Sequence, residues 1–116
     1  MRHRKNTLIL DRRSGPRKQL LRGLATNLIL RERMRTTVAR ARAVRPMVEQ
    51  CITMGKITTI LNRRRLESVL GSARAAQKVT EVLGPRYRER RGGYTRTTRW
   101  AARAGDGAQE VIIEFV

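Results

Sequence analysis

The chain has 116 residues, enough for one domain that buries roughly two-thirds of the surface its unfolded form would expose, and too few for a second core. Its 27 lysines and arginines against 9 aspartates and glutamates give +18 at pH 7, spread through every segment, a self-repulsion that opposes compaction unless a polyanion is bound. One cysteine and one histidine exclude an internal disulfide, four-ligand zinc spacing and the usual Ser/His or Cys/His catalytic sets, so no metal, cofactor or small-molecule substrate is expected.

Arginine far outnumbers lysine, and its planar fork suits bidentate phosphate contacts and stacking on bases. Nucleic acid is the expected partner. A membrane is not, because no apolar run approaches spanning length and no helix sets a bulky apolar face against a basic one. The start, "MRHRKNTLILDRR", has an apolar patch of only Leu8 to Leu10, too short for a secretory signal, so an intracellular protein is expected.

Residues 1–13 are basic and lack helical period. They read as an N-terminal arm, disordered until RNA orders it, ahead of a single globular domain over 14–116. "SGPRKQLLRGLATNLIL" predicts a first helix with Ser14 as N-cap and Pro16 in the first turn. Leu20, Leu24 and Leu28 make its buried stripe, and Arg17, Lys18 and Arg22 its charged face. "RERMRTT" suggests a short strand with Met34 and Thr36 on one side and Arg33 and Arg35 on the other.

Thr36 or Thr37 can cap the helix "VARARAVRPMVEQCITM", whose inward positions are Ala41, Val44, Val48, Cys51 and Ile52 and which Gly55 ends. Cys51 reads as a small buried apolar residue. Pro46 predicts a kink there or a break into two helices. "NRRRLESVLGSARAAQKVTEVLGP" predicts two helical pieces, Asn62 capping the first, Gly71-Ser72 interrupting and recapping, and Gly84-Pro85 stopping the second. Leu66, Val69, Leu70, Ala75, Ala76, Val79, Val82 and Leu83 are expected inward. Arg63, Arg64 and Arg65 oppose the helix dipole in its first turn, which points to an external anion there.

In "RYRERRGGYTRTTRW", Tyr94, Arg96, Thr98 and Trp100 are expected on one face of a strand. Gly92 and Gly93 ahead of it allow positive φ or the close approach of a ribose-phosphate backbone. "QEVIIEFV" is a clear last strand, with Val111, Ile113 and Phe115 alternating with Ile112 and Glu114. Gly105, Asp106 and Gly107 make the turn of a hairpin with a long connection.

These segments resemble a known family. "RTTVARARAVRPMVEQ", "LGPRYRERRGGYTR" and "RAGDGAQEVIIEFV" are similar to the signature segments of the bacterial large-subunit ribosomal protein family seventeen. "RKQLLRGLATNLILRERMRTT" and the arm "MRHRK" match that family's first helix with its following strand and its opening. The middle, from Lys56 to Arg74, is only loosely similar. Departures are Arg91, where the family commonly has proline, and Thr97 and Thr98, where it has bulky apolar residues.

The resemblance implies a structural component of the ribosome and not an enzyme, located in the cytoplasm. It implies an α+β fold with several α-helices packed around a small mixed sheet of about three strands. The partners it implies are large-subunit ribosomal RNA near the exit of the peptide tunnel and neighbouring large-subunit proteins. Carried onto this chain, the RNA-facing residues are Arg2, His3, Arg4 and Lys5 in the arm, Arg17, Lys18 and Arg22 on the first helix, and Arg86, Arg88, Arg90, Arg91, Tyr94 and Arg96 around the glycines. Arg12, Arg13, Arg63, Arg64, Gly92 and Gly93 join them on the residue-level reading. Tyr94 and Trp100 either stack on looped-out bases or pack in the core.

Two rival classes fit parts of the pattern. A small basic RNA-cleaving toxin can work without histidine, with Tyr87 or Tyr94 as candidate acid or base. A helix-turn-helix regulator would concentrate its basic residues on one recognition helix. The dispersal of charge over the whole chain counts against both.

Overall fold

The computed structural model describes His3 and residues 8–116. Helix α1 (Ser14–Arg31) leads into strand β1 (Arg33–Thr37) and helix α2 (Val38–Gly55). Helix α3 (Ile60–Leu70) follows, then an unbroken helical run of α4 (Ala73–Lys78), a π-helical turn (Val79–Leu83) and α5 (Gly84–Arg86). Strands β2 (Thr95–Ala102) and β3 (Gln109–Phe115) close the chain.

Side-chain caps set several boundaries. Thr37, Thr59 and Ser72 accept hydrogen bonds from the backbone N–H groups of Arg40, Asn62 and Ala75, opening α2, α3 and α4. Thr59 thus does the work expected of Asn62. The Asn62 amide instead donates to the carbonyls of Ile57 and Met54, at 2.9 and 3.3 Å, and ties α3 to the end of α2. Nor does Ser14 cap α1: it is the first helical residue, and Arg13 precedes it without a side-chain cap.

Pro46 does not split α2, which runs through it. The proline is exposed, as is Arg42, whose carbonyl loses its intrahelical partner, so water can meet the freed group. Val44 and Val48, both buried, hold the two halves of the helix to one core.

Gly84-Pro85 does not stop the last helix either. The Gly84 N–H bonds to the carbonyl of Val79, five residues back, and this widened turn carries the chain past Pro85 to Arg86. Gly84 is there for closeness. A Cβ on it would collide with the carbonyl oxygen of Gly55, and a Cβ on Gly55 would strike the Val79 side chain. Two backbones therefore meet where α2 crosses this run.

The core collects Ala25, Leu28 and Ile29 from α1, Val44, Val48, Cys51 and Ile52 from α2, and Leu66 and Leu70 from α3. Ala75, Ala76, Val79 and Leu83 come from the last helical run, and Tyr87, Tyr94 and Ile113 complete it. Several expected inward positions shift. Leu20 and Leu24 are half-buried while Ala25 and Ile29 go deep, and Val82 is exposed.

The sheet has the order β1-β3-β2, and both pairings are antiparallel. The α+β class and the three strands stand, but the sheet is not mixed. A hairpin connection without a crossover can join β2 to β3 only in antiparallel fashion, and β1 pairs antiparallel with the other edge of β3. The strands β1 and β2 that share a direction never touch in the ladder. Central β3 buries Val111, Ile112 and Ile113 together, because α2 covers one face and the flanking strands crowd Ile112 on the other.

Candidate nucleic-acid interface

Strand β2 departs from the expected alternation at its first turn. Gly93 takes φ +61, and both Tyr94 and Thr95 are buried behind it. Thr95 is held by Glu49 of α2, which accepts from its hydroxyl at 3.0 Å and its N–H at 3.4 Å, while Arg45 donates to its carbonyl at 3.3 Å. Tyr94 is 1% exposed, with its ring 5.3 Å from that of Tyr87 and its hydroxyl 3.3 Å from the Thr53 hydroxyl. Burial pushes the Tyr94 hydroxyl up, but Lys56 and Thr53 beside it pull harder and leave it below the ordinary tyrosine range. Tyr94, expected among the RNA-facing residues, is thus a core residue of this fold. A ring closed in by Tyr87 and Lys56 has no face open for a base.

Beyond Thr95 every residue of β2 is exposed. The register sets Arg33, Glu114 and Arg96 in one row across the outer sheet face, and Arg35, Ile112 and Thr98 in the next. Glu114 lies 2.9 Å from Arg96 and 3.6 Å from Arg33, and Glu110 holds Arg35 at 3.8 Å. The guanidinium of Arg35 stands 6.0 Å from the centre of the Trp100 ring. Sequence reasoning left Arg33 and Arg35 out of the candidate set. Their alternation with Met34 was the available signal, but only the register with β3 brings them beside Arg96. On the inner face, Thr97 lines a cleft of about 350 Å³ with Val38, Ala41, Arg42, Arg45, Pro46 and Val111.

The segment before β2 forms a second cluster. Arg88, Arg90, Arg91, Gly92 and Gly93 are all exposed. The Arg90 Nε donates to the Gly92 carbonyl at 3.2 Å, and Lys56 donates to the Arg90 carbonyl. Arg86 is drawn away from this group to Glu32, which also receives Lys78 at 3.6 Å. Glu32 closes α1 at φ +63, and its carbonyl accepts from Phe115. The Arg86 hydrogen bond, reinforced by Lys78, holds its carboxyl below the usual carboxylate range against the opposing effect of burial. Arg86 is accordingly a structural clamp.

Other candidates are scattered. Arg22 of α1 lies across Gly71, which takes φ +67, so a Cβ there would strike the Arg22 side chain. Arg17 is half-buried and Lys18 exposed, both about one turn nearer the start of the helix. Arg63 pairs with Glu67 at 3.3 Å, whereas exposed Arg64 makes no ion pair among the described residues. Arg13 is exposed, and Arg12 turns back to donate to the Leu10 carbonyl at 2.7 Å. His3 is exposed, and Arg2, Arg4 and Lys5 lie outside the described residues.

Glu32, Glu49, Glu67, Asp106, Glu110 and Glu114 each hold a basic partner. The basic excess leaves Arg42, Arg64, Arg88, Arg91 and Arg99 exposed without an ion pair among the described residues. In the β2–β3 loop the Arg103 guanidinium and the Ala108 N–H hold the Asp106 carboxyl down at about 2. Among the described residues no cluster of His, Cys, Asp or Glu could hold a metal ion, and no helix is long and apolar enough to cross a membrane.

Fold and surface together define a small, strongly basic α+β protein whose exterior arginines outnumber the acids available to neutralise them. Residues 20–116 match the family model of ribosomal protein L17. The whole chain is 47% identical to the large ribosomal subunit protein bL17 of Thermomicrobium roseum, covering 99% of that protein. It is 44% identical over its full length to bL17 of Solibacter usitatus, covering 77% of it. With bL17 of Exiguobacterium sp. it shares 48% over 112 residues, 92% of this chain and 96% of that one. The chain belongs to the ribosomal protein L17 family.

Proposed function

We propose that the chain is a structural constituent of the large ribosomal subunit that binds and stabilises folded large-subunit RNA, on the subunit's outer surface near the peptide tunnel exit in the cytoplasm. Neighbouring large-subunit proteins are its other partners. The observation that carries this reading is exposed arginine without an acid partner among the described residues on several parts of the fold, including Arg42 of α2, Arg64 of α3, Arg88 and Arg91 before β2, and Arg99 within it. A partner that wraps several faces of the protein and carries one charge per residue is a folded RNA, since each guanidinium can take a phosphate in bidentate fashion. The names of the relatives, all large ribosomal subunit proteins, point the same way. RNA shape would set specificity, because double-helical RNA hides its base edges in a deep major groove.

The RNA-cleaving alternative loses its acid–base candidates. Tyr87 and Tyr94 are both buried, and the Tyr87 hydroxyl donates to the Val116 carbonyl at 2.7 Å.

Sedimentation tests the proposal. The protein should travel with large subunits at moderate salt and leave them only under strong ionic screening, with log affinity for large-subunit RNA falling linearly in log salt. Folded protein left in free fractions beside intact ribosomes would overturn it.

A further inference from the structure

The chain's two tyrosines and one phenylalanine form a single cluster, with Tyr87 5.3 Å from Tyr94 and 6.4 Å from Phe115. Its one tryptophan is left out. Trp100 is 56% exposed on β2, an edge strand of the sheet. The ladder with β3 is irregular between Arg99 and Ala102, the stretch that holds Trp100, and such irregularities re-aim the side chains they carry.

The surroundings distinguish between the partners an exposed indole could have. Leu8, Ile9, Ile57, Ile60, Leu61 and Val82, also exposed, all lie outside the sheet. Val116 is paired to Tyr94, at the far end of β2. Among the described residues Trp100 is therefore the one large apolar side chain exposed on the sheet, which does not make an apolar patch of the kind a protein partner covers. Its neighbour is a cation instead: the Arg35 guanidinium, which Glu110 also holds at 3.8 Å, stands 6.0 Å from the centre of its ring. A flat π face beside a guanidinium suits a nucleobase, whose ring stacks on the indole while its phosphate meets the cation.

We propose that Trp100, with Arg35 set over its ring, is a stacking platform for one unpaired base in a single-stranded or looped segment of RNA. The proposal rests on the RNA-binding reading and adds to it a residue and a class of ligand. A base inside a duplex is already stacked on its neighbours and is not available, whereas a looped-out base is. Because every base offers a π face, the platform tolerates any base.

With a single tryptophan in the chain, intrinsic fluorescence reports on this site alone. Oligoadenylate should quench the emission, and a fully paired RNA duplex should bind through its phosphates without comparable quenching. Measured with labelled RNA, Trp100→Ala should bind oligoadenylate about tenfold more weakly and Trp100→Phe within about threefold of the parent, with duplex affinity unchanged in both. Oligoadenylate bound without quenching, and equally well by Trp100→Ala, would remove the stacking platform while leaving RNA binding intact. A Trp100→Ala protein that kept both RNA affinities but lost its place on large subunits would assign the ring to a neighbouring protein and overturn the proposal. Failure of the parent protein to bind either RNA at low salt would remove the RNA-binding reading itself.

Discussion

Where α2 crosses the run from Ala73 to Arg86, Gly55 and Gly84 bring two backbones together with no side chain between them. Strand β2, an edge of the sheet, has seven of its eight residues exposed. The first region is defined by what it excludes and the second by what it leaves open. The difference teaches where this small protein keeps its stability and where it keeps its charge. Helices supply the close packing, and a hydrogen-bonded ladder carries arginines that a helical core could not accommodate.

The sharpest way to break the crossing is Gly84→Ala. The new methyl has no room beside the Gly55 carbonyl, and the obstacle is backbone, which cannot swing aside as a side chain would. A loss of about 3 kcal/mol is expected in urea unfolding, at the upper end of overpacking effects. An Ala variant as stable as the parent would mean that the two helices are not locked at this point.

A smaller effect is expected beside the crossing, at Cys51. Burial raises its thiol from 9.0 to about 11. A folded-state pKa above the unfolded value means that its contribution is complete below about pH 9 and is lost as pH rises towards about 11. Two pH units correspond to about 2–3 kcal/mol. Cys51→Ala should cost about 1 kcal/mol at neutral pH and flatten the decline of stability across that alkaline window. An unchanged decline would show that the thiol stays accessible in the folded state.

The least effect on stability belongs to β2. Arg96→Gln breaks an exposed pair with Glu114, and Arg33 remains beside that carboxylate, so less than about 0.5 kcal/mol should be lost. Its effect should appear in binding instead. The salt slope for large-subunit RNA should fall by up to about 1, equally for different target sequences. A variant that lost one RNA and kept the others would make Arg96 a reader of bases. A variant that unfolded would erase the contrast between the two regions.

Much of the helical half was legible in the sequence. Ala41, Val44, Val48, Cys51 and Ile52 repeat at helical spacing, and all five are buried because a regular helix turns such spacing into one face. Ser72 recaps α4 as its position after Gly71 suggested. Gly84 was misread because a glycine that ends a helix and a glycine that lets another backbone approach look alike in one dimension. The candidate interface was less legible. Dispersed arginine was plain from composition, but partners were not: Arg86 and Arg63 are engaged by Glu32 and Glu67, while Arg33 and Arg35 join Arg96 only through the register of β3.

The sequence by itself determined the charge, the helical periodicity, the hairpin at Gly105 to Gly107 and the resemblance to a ribosomal family, since each is a property of composition or of residues close along the chain. Tertiary structure alone decided that Tyr94 enters the core while Trp100 stays outside it. Both aromatics were expected on one strand face, but that rule holds only within a regular ladder. The positive φ at Gly93 turns Tyr94 inwards before the ladder begins, and the irregularity after Arg99 interrupts it at Trp100. The fate of each ring rests on contacts with helices and strands distant in sequence, which local pattern cannot encode.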